Sequence, residues 1–415
     1  MGHVPKFMPE HSPLFCSVAP CGRRERVSAA DKPRRYTTRE TALWSEARMA
    51  TWLTATDARD LDLPSDAGSW DRFRDVVTRA GLAGLILERT AQLEVPWPDR
   101  VRVSLQRVAM LVAANNLAIA EETSRLVGVL SEARIPAMLL KGAALNLTVY
   151  DRPNLRPMGD ADLLVHCGDA ERAVHVLLQN GCRSGAPLLR SDFFPKYYYE
   201  TELTAGTARP VRIDLHARPF RPLCLARTIP DAAFWDSPRV ARLGHVEVLI
   251  PRPEIMFIHL AAHAAFHGCS RLVWLYDIRR LVERYGSVTD WDEVGRLTCR
   301  WRLSPAVSTA LTRARTLFGE VCPDALTRTL ELHRSDWRDR LTLSHAPRDA
   351  RAPLAHVAVN VLCAPGWRFK LGYLRAVLFP GRAHLAGMYR RRHVGWATCA
   401  HAWRVCRALR RLIPA

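Results

Sequence analysis

Apolar side chains recur with a helical period between about residues 50 and 134. In the clearest stretch they return about every 3.6 residues, the period that lines one face of an α-helix, and only the polar Asn116 interrupts them. That stretch contains Leu105, Val108, Val112, Ile119, Leu126 and Leu130. Because Pro136 cannot continue a helix, the pattern predicts an N-terminal helical region over residues 49–134 that packs beside the segment after it.

Short apolar runs replace the helical pattern between residues 135 and 252. Four of them have the length and composition of strands, and a Tyr-rich run is a further candidate. These runs are 136–140, 162–166, 196–203, 211–216 and 246–250. Residues 142–150 and 169–180 have the pattern of helices, the second ended by Gly181, and the proline-containing residues 151–157 that of a loop. Helices alternating with strands predict an α+β fold with a small mixed β-sheet.

Helical spacing returns after Pro253 and continues almost to the end of the chain. The predicted helices are 254–267, 271–285, 290–297 and 305–318. This part divides into a helical region, residues 253–348, and a basic helical tail, residues 349–415. The core, residues 135–252, is therefore predicted to be flanked by N-terminal and C-terminal helical regions.

Residues 1–48 mix Pro, Arg, Ser and Gly without periodicity, which predicts a disordered segment or an extension upstream of the true start. Met49 is a plausible alternative initiator. We find no run of about 18 apolar residues that would predict a transmembrane segment, and no apolar core of a secretory signal. The 11 Cys residues are scattered without a C-x-x-C pair. These features together predict a cytoplasmic protein with reduced thiols.

Positive charge is concentrated at the C-terminal end of the chain. The formal net charge is +19, and residues 351–415 contain twelve Lys or Arg and no Asp or Glu. Such a run favours RNA or an anionic surface as a partner, although arginines on solvated faces would give the same composition. Trp403 and Leu409 lie among the last arginines, but no known nucleic-acid-binding module is recognisable.

Asp160 and Asp162 stand two residues apart at the edge of a predicted strand. Period-two geometry places both carboxylates on one face, where burying them together without a cation would be costly. Mg²⁺ is commonly held by one or two carboxylates together with substrate phosphates. A third carboxylate, Asp214 on a later strand, would complete a site for two metal ions suited to attack on phosphorus. An isolated Asp-x-Asp pair is more often a strand cap at the surface.

Lys141 and Gly142 stand at a predicted junction of strand and helix. A glycine there lets backbone N–H groups approach a phosphate at a helix N-terminus, and Lys141 could add a positive charge. An ordinary tight turn with a solvated lysine is the alternative. Arg156 could clamp phosphate or form a salt bridge with the carboxylate pair. His216 should share the strand face of Asp214, where it could bind substrate or position Asp214.

Three histidines recur every four residues in the first helix of the C-terminal half, at His259, His263 and His267. We expect this stripe to face the site, with His263 nearest to it and touching base or phosphate. Histidines bonded to the backbone inside the fold are the alternative, and a zinc site lacks the accompanying glutamate. Asp277 on the next helix could pair with Arg271 or a histidine. The tyrosines at 197–199 could stack on a base, although a Tyr-rich strand more often packs within a sheet.

Taken together, these motifs resemble those of a known protein family. The resemblance is carried by Leu-Leu-Lys-Gly-Ala-Ala-Leu at 139–145, Tyr150, Arg-Pro-Met-Gly-Asp-Ala-Asp-Leu-Leu-Val at 156–165 and Ile-Asp-Leu-His at 213–216. It spans about residue 50 to near the C-terminus. The chain is similar to the uncharacterised bacterial nucleotidyltransferases of the polymerase-beta-like nucleotidyltransferase superfamily.

The resemblance implies a nucleotidyltransferase-like core in which a glycine-containing loop binds the triphosphate. Gly142 takes the position of the loop glycine, and the superfamily commonly has Gly-Ser where this chain has Lys141-Gly142. The resemblance also implies two Mg²⁺ ions, with Mn²⁺ as a substitute, held by an Asp-x-Asp pair and a third Asp. The matching residues are Asp160, Asp162 and Asp214.

The functional hypothesis is an Mg²⁺-dependent nucleotidyltransferase that moves a nucleoside monophosphate from an NTP, with ATP expected, to an unidentified acceptor. The predicted catalytic and metal-binding residues are Asp160, Asp162 and Asp214. The predicted nucleotide-binding residues are Lys141, Gly142, Arg156, His216 and His263. Two alternatives stay open. One is a non-catalytic nucleotide-binding or scaffold protein of a biosynthetic cluster, and the other is an RNA-directed nucleotidyltransferase that uses the basic tail.

Overall fold

A seven-stranded mixed β-sheet forms the centre of the computed structural model, which describes residues 46–184, 200–206, 209–220, 225–333, 335–344, 353–363 and 366–379. The strands are β1 (Ala137–Leu140), β2 (Ala161–Val165), β3 (Arg183–Ser184), β4 (Glu200–Ala205), β5 (Val211–His216), β6 (Arg239–Leu243) and β7 (Val246–Ile250). Their order across the sheet is β3-β4-β5-β2-β1-β7-β6. The sheet is mixed, because β1 runs parallel to β7 and β2 parallel to β5 while the other pairs are antiparallel.

Helices precede, interrupt and follow the sheet. Those before it are α1 (Glu46–Thr54), α2 (Ala67–Ala80), α3 (Ala83–Gln92) and α4 (Asp99–Glu132). Those inserted between strands are α5 (Lys141–Thr148), α6 (Ala170–Gln179) and the short α7 (Leu225–Thr228). Those after it are α8 (Pro253–Phe266), α9 (Leu272–Tyr285), α10 (Trp291–Arg300), α11 (Ser304–Phe318), α12 (Asp324–Leu332), α13 (Trp337–Ser344), α14 (Pro353–Cys363) and α15 (Trp367–Leu378). The predicted α+β fold with helical regions on both sides is therefore confirmed.

The two central strands are apolar because they are covered on both faces. Every residue of β1 and of β2 is buried, and Leu139 and Leu163 are at most 1% exposed. Such strands lack the alternation of a half-exposed strand and appear in the sequence as continuous apolar runs. The one charged residue inside β2, Asp162, is therefore held in the interior, where its surroundings decide its properties.

The long helix α4 packs beside the sheet and explains the polar interruption in its apolar pattern. Asn116 is 3% exposed, and its Nδ2 donates hydrogen bonds to the carbonyl oxygens of Pro153 and Arg156, both at 2.7 Å. Its Oδ1 accepts from the backbone N–H of Met158 at 3.0 Å. Asn116 therefore fixes the loop that leads into β2, and a leucine at this position could not do so.

α4 is also the one helix among the described residues that is long and apolar enough to cross a membrane. An 18-residue window of it has a mean hydropathy of 1.3, and 28% of that window is buried. Length and composition alone do not separate a membrane span from a helix that packs inside a protein. The absence of a transmembrane segment therefore stays a prediction.

Several predicted boundaries differ from the structure. α1 begins at Glu46, inside the segment 1–48 that was expected to be disordered. The Tyr-rich strand expected at 196–203 corresponds to β4, which begins at Glu200, while the tyrosines at 197–199 lie outside the described residues. The last residues of the basic tail, from 380 onward, also lie outside them.

β6 was not predicted, because it is an edge strand in which no residue is fully buried. Gly244, with φ +60°, turns the chain directly from β6 into β7. A short connection with a left-handed glycine is the usual signal of a β-hairpin, and it was present in the sequence.

Candidate active site

Asp162 and Asp214 lie side by side on neighbouring strands. In the parallel pair of β2 and β5, Asp162 is opposite Asp214, and in the antiparallel pair of β5 and β4, Asp214 is opposite Glu202. Residues at one register position point to the same face of a sheet. One row across three strands therefore carries three carboxylates, of which Glu202 had not been predicted.

Asp162 is buried between two basic side chains. The Lys141 Nζ donates a hydrogen bond to Asp162 Oδ1 at 2.5 Å, and the Nε2 of His216 lies 2.8 Å from the same oxygen. Burial alone would raise the pKa of Asp162, but the charge of Lys141 and the hydrogen bond with His216 hold this pKa well below its usual range. Burial likewise lowers the pKa of Lys141, and its contact with Asp162 outweighs that effect and raises it. Asp162 and Lys141 thus form a buried ion pair.

His216 connects Asp162 with a further carboxylate. Its side chain is fully buried, and Nδ1 lies 3.7 Å from Oε2 of Glu200. The prediction that Asp214 and His216 share one face of the strand is confirmed, since they stand two residues apart on β5. His216 forms its 2.8 Å hydrogen bond with Asp162. Glu200 was missed because its place opposite His216 depends on the pairing of β4 with β5, which the sequence pattern does not give.

Asp160 lies immediately before β2 and forms an ion pair with Arg212. Its side chain is 29% exposed, so Asp160 is the more accessible carboxylate of the Asp-x-Asp pair. Arg212 had not been predicted as a site residue. The alternation Arg-x-Asp-x-His in 212–216 puts it on the face of Asp214, and that pattern would have indicated it.

Asp214 differs from the other two aspartates because its Oδ1 is buried without a hydrogen-bond partner among the described residues. Its pKa is raised from 3.8 to about 7. Burial is the largest cause, followed by the negative charges of Asp162 and Asp160. Near neutral pH, Asp214 is therefore divided between its protonated and ionised forms, and a nearby cation would favour the ionised form.

Lys141 occupies the junction between β1 and α5 in a backbone conformation that residues with side chains rarely adopt, with φ +45°. A non-glycine residue in the left-handed region costs about 1 kcal/mol or more, and such residues concentrate at functional sites. This conformation places the Lys141 ammonium group on Asp162. The structure thus brings together Lys141, Asp160, Asp162, Asp214 and His216, five of the predicted site residues.

Arg156 is placed differently from the prediction, which expected phosphate or the Asp-x-Asp pair as its partner. It is 6% exposed, and its Nε and Nη2 donate hydrogen bonds to the Asp277 carboxylate at 2.8–3.2 Å. The Tyr150 hydroxyl donates to Oδ1 of Asp277 at 2.7 Å. Asp277, which we had expected to pair with Arg271 or a histidine, therefore joins α9 to the loop before β2. These contacts hold Arg156 in a buried ion pair away from solvent.

Gly142 leaves room for this arginine. A Cβ placed on Gly142 would lie 2.3 Å from Nη1 of Arg156 and 3.2 Å from its Cζ. A side chain at residue 142 would therefore collide with a guanidinium that Asp277 holds in place. The structure thus provides a packing reason for this glycine, and its predicted contact with phosphate stays a prediction.

The histidine stripe divides into two environments. His259 is 2% exposed, its Nε2 lies 3.1 Å from the carbonyl oxygen of Pro219, and its pKa is lowered to about 3 by burial and then by the charges of Lys141 and His216. His263 is half-buried against the rings of His267 and Trp274, at centroid distances of 4.6 and 5.0 Å. Burial and then Lys141 also lower the pKa of His263 well below its usual value. The contact of His263 with a nucleotide stays a prediction.

The donor chemistry of the site fits a divalent cation, although the described residues hold no ready-made cluster. Among them, no group of three His, Cys, Asp or Glu side chains is arranged so that it could hold a metal ion as it stands. Lys141 and Arg212 instead neutralise the Asp-x-Asp pair. Among the described residues no group donates to Oδ1 of Asp214, and its pKa is raised by burial and then by its acidic neighbours. A hard cation with oxygen ligands is what such a carboxylate lacks.

Comparison with known proteins identifies a family. The family model of the uncharacterised nucleotidyltransferases matches residues 66–319 of the 415. No curated protein matches the chain. A solved structure, an antigenic nucleotidyltransferase-like protein from Paracoccidioides brasiliensis, is 15% identical over 52% of this chain and 96% of its own, with a TM-score of 0.30. A TM-score that low supports no inference. The family match covers more than half of the sequence, and the chain therefore belongs to the uncharacterised nucleotidyltransferase family.

Proposed function

We propose that this protein is an Mg²⁺-dependent nucleotidyltransferase that moves a nucleoside monophosphate from an NTP, ATP being the first to test, to a hydroxyl or phosphate acceptor. Family membership supports nucleotidyl transfer in general. The observation that carries the finer proposal is the pairing of Asp162 with Asp214 at one register position, where Oδ1 of Asp214 is buried and no described residue donates to it. Two adjacent carboxylates of which one lacks a counter-charge are suited to bind a metal–triphosphate complex.

Asp160, Asp162 and Asp214 would hold Mg²⁺ or Mn²⁺ in this proposal. A bound cation would neutralise phosphate charge and polarise the phosphorus–oxygen bonds. Because Lys141 and Arg212 already contact the Asp-x-Asp pair, both cations lie where they could move onto the phosphates of an incoming nucleotide. His216 and Glu200 would keep the Asp162 carboxylate in place.

The transfer needs no reactant besides the NTP and the acceptor. An acceptor oxygen forms a bond to the α-phosphorus, the bond from that phosphorus to the bridging oxygen breaks, and pyrophosphate leaves with the electron pair. The proton of an acceptor hydroxyl must go to a base. We assign this role to Asp214, whose carboxylate the bound cation would keep ionised.

Release of pyrophosphate in the presence of Mg²⁺ tests this proposal. We expect release from at least one of the four NTPs when a broad panel of hydroxyl and phosphate acceptors is supplied. Asp162→Asn and Asp214→Asn should each lower the rate at least about a hundredfold, since a missing metal ligand removes transition-state stabilisation. Asp236→Asn is the matched control, because that side chain is 69% exposed and lies outside the site. Equal rates for the wild type and both site variants would contradict the proposal.

A second candidate is a protein that binds nucleotide without turning it over. The observation in its favour is that Lys141 and Arg212 form ion pairs with two of the three aspartates. Calorimetry distinguishes the two candidates. Saturable NTP binding, with no pyrophosphate release across the acceptor panel, would favour the binding protein.

Two further expectations stay proposals. A cytoplasmic location rests on the sequence alone. An RNA-directed activity depends on the basic tail, whose last residues lie outside the described part of the chain. A salt-dependent gel shift that survives deletion of the tail would exclude the tail as the RNA site.

A further inference from the structure

The outward face of α4 is apolar in the middle of the helix and is left uncovered by the described residues. Met110 is 69% exposed, Leu111 62% and Leu117 57%. Ala114 is also exposed, and the helical repeat puts all four on one side of the helix. Single exposed apolar residues are ordinary, but a contiguous group on one helix face marks a contact surface.

Opposite charges stand at the two ends of this apolar group. Arg107 lies seven residues before Ala114, and Glu121 lies seven residues after it. Seven residues are close to two helical turns, so both side chains lie on the same face as Ala114. Arg107 and Glu121 are exposed, and neither forms an ion pair within the described residues. The face is therefore basic at Arg107, apolar in the middle and acidic at Glu121, and beyond Glu121 it carries Arg125 in an ion pair with Glu122.

We propose that this face is a self-association surface, on which α4 packs antiparallel against α4 of a second copy of this chain about a two-fold axis at Ala114. Residues at equal distance from the axis then meet each other. Leu111 of one protomer then lies level with Leu117 of its partner along the helix axis, and Arg107 of each lies opposite Glu121 of the other. The small Ala114 at the axis allows the helix backbones to approach closely.

This pattern favours a protein helix over a lipid surface as the occupant. A membrane surface rewards apolar and basic residues and gains nothing from a glutamate at one end of the face. A two-fold partner, in contrast, needs the glutamate, because every Arg107 has to meet an acid placed symmetrically about the axis. The self-complementarity of the face thus identifies the partner as a second copy of this chain.

The proposed interface lies next to the residues that hold the loop before β2. Asn115 Nδ2 donates a hydrogen bond to the Met158 carbonyl at 2.8 Å, and Asn116 binds the same loop from the adjacent position. Arg209, just before β5, donates to the Ala114 carbonyl at 3.3 Å. Association on α4 would therefore restrain the segment that ends in Asp160.

Sedimentation velocity over a wide range of concentrations tests the association. We expect a dimer, weakened about tenfold by Arg107→Glu and by Glu121→Arg, because each reversal places like charges opposite each other at both ends of the interface. The double reversal should restore the wild-type dissociation constant, which a merely misfolded variant could not do. A protein that is monomeric throughout, or a dimer that neither single reversal weakens, would overturn the proposal.

Cysteine cross-linking tests the orientation. Ala114→Cys should form a disulfide-linked dimer, identified by the mass of the joined 114–114 peptides against the background of native cysteines. Val103→Cys is the matched control on the same face, since in an antiparallel pair its two copies lie about 33 Å apart along the helix axis. Equal cross-linking at both positions would indicate a parallel pair, and a monomer that binds anionic vesicles through this face would indicate a lipid surface. Both results would overturn the proposal.

Discussion

Asp162 and Asp214 share one register position on neighbouring strands but have different electrostatic surroundings. Lys141 and His216 both contact Asp162, so its pKa is held low despite its burial. No described residue is a comparable partner for Oδ1 of Asp214, and its pKa rises to about 7. The site thus combines a carboxylate that is permanently ionised with one whose charge depends on pH and on cations.

The raised pKa of Asp214 predicts a specific dependence of stability on pH. In the unfolded chain this group ionises near 3.8, and in the folded protein near 7. The folded state therefore holds the proton more tightly, so the free energy of unfolding falls as pH rises from about 4 to about 7. Asp214→Asn removes this destabilisation. We expect the metal-free variant to be about 1 to 4 kcal/mol more stable than the wild type at pH 8.

Urea denaturation in the presence of a chelator measures this difference. The advantage of Asp214→Asn should shrink towards zero as the pH approaches about 4, where both states of the wild type are protonated. Added Mg²⁺ should stabilise the wild type at pH 8 and should stabilise the variant less. A variant that is less stable than the wild type at pH 8 would show that the buried carboxylate carries no such destabilisation.

Single residues show where prediction from sequence stops. The strand faces of Asp162, Asp214 and His216 follow from period-two alternation and could be predicted. The pairing of Arg156 with Asp277 could not be predicted. These two residues lie 121 positions apart and meet only because α9 packs beside the loop before β2. From sequence alone, an arginine in a loop could equally bind a phosphate, a nearby carboxylate or a distant carboxylate.

At the scale of elements, the junction of β1 and α5 combines two constraints. Lys141 takes a left-handed conformation that places its ammonium group on Asp162, and Gly142 leaves space for the Arg156 guanidinium. In a solvated helix, replacing glycine by alanine would stabilise by about 1 kcal/mol. At residue 142 the same replacement should destabilise the protein, because a methyl group there would displace Arg156 from a buried carboxylate.

We therefore expect Gly142→Ala to lower the free energy of unfolding by about 2 to 4 kcal/mol, the range for disturbing a buried ion pair. Thermal denaturation measures the effect. Gly168→Ala is the matched control, because nothing lies within 4 Å of a Cβ at that position, and it should change stability little. Equal stability of the two variants would mean that Arg156 can move aside without lowering the free energy of unfolding.

Central elements were easier to predict than edge elements. β5 and β7 begin and end at the predicted residues, and α8, α9 and α11 begin within one residue of theirs. Buried elements have long apolar patterns, and the proline, glycine or polar residues at their ends show where each element begins and ends. β6 at the sheet edge has no fully buried residue, so its pattern is weak.

At the scale of the whole molecule, the order of strands assembles the site. β2 and β5 are separated by α6 and two other strands along the chain, yet they are neighbours in the sheet. This adjacency brings Asp214 beside Asp162 and Arg212 beside Asp160. The sequence motifs predicted five of the residues that meet at the candidate site but not Glu200, Glu202 or Arg212. The charge pairs within the site follow only from the three-dimensional arrangement.

The most direct test of the central claim is the binding of Mn²⁺ together with a non-hydrolysable ATP analogue, followed by electron paramagnetic resonance at pH 8. This measurement requires no knowledge of the acceptor. Wild-type protein should bind the Mn²⁺–nucleotide complex, and Asp162→Asn and Asp214→Asn should each weaken binding at least about tenfold, while Asp236→Asn should not. Binding by both site variants equal to that of the wild type would contradict the assignment of these carboxylates to a metal–nucleotide site.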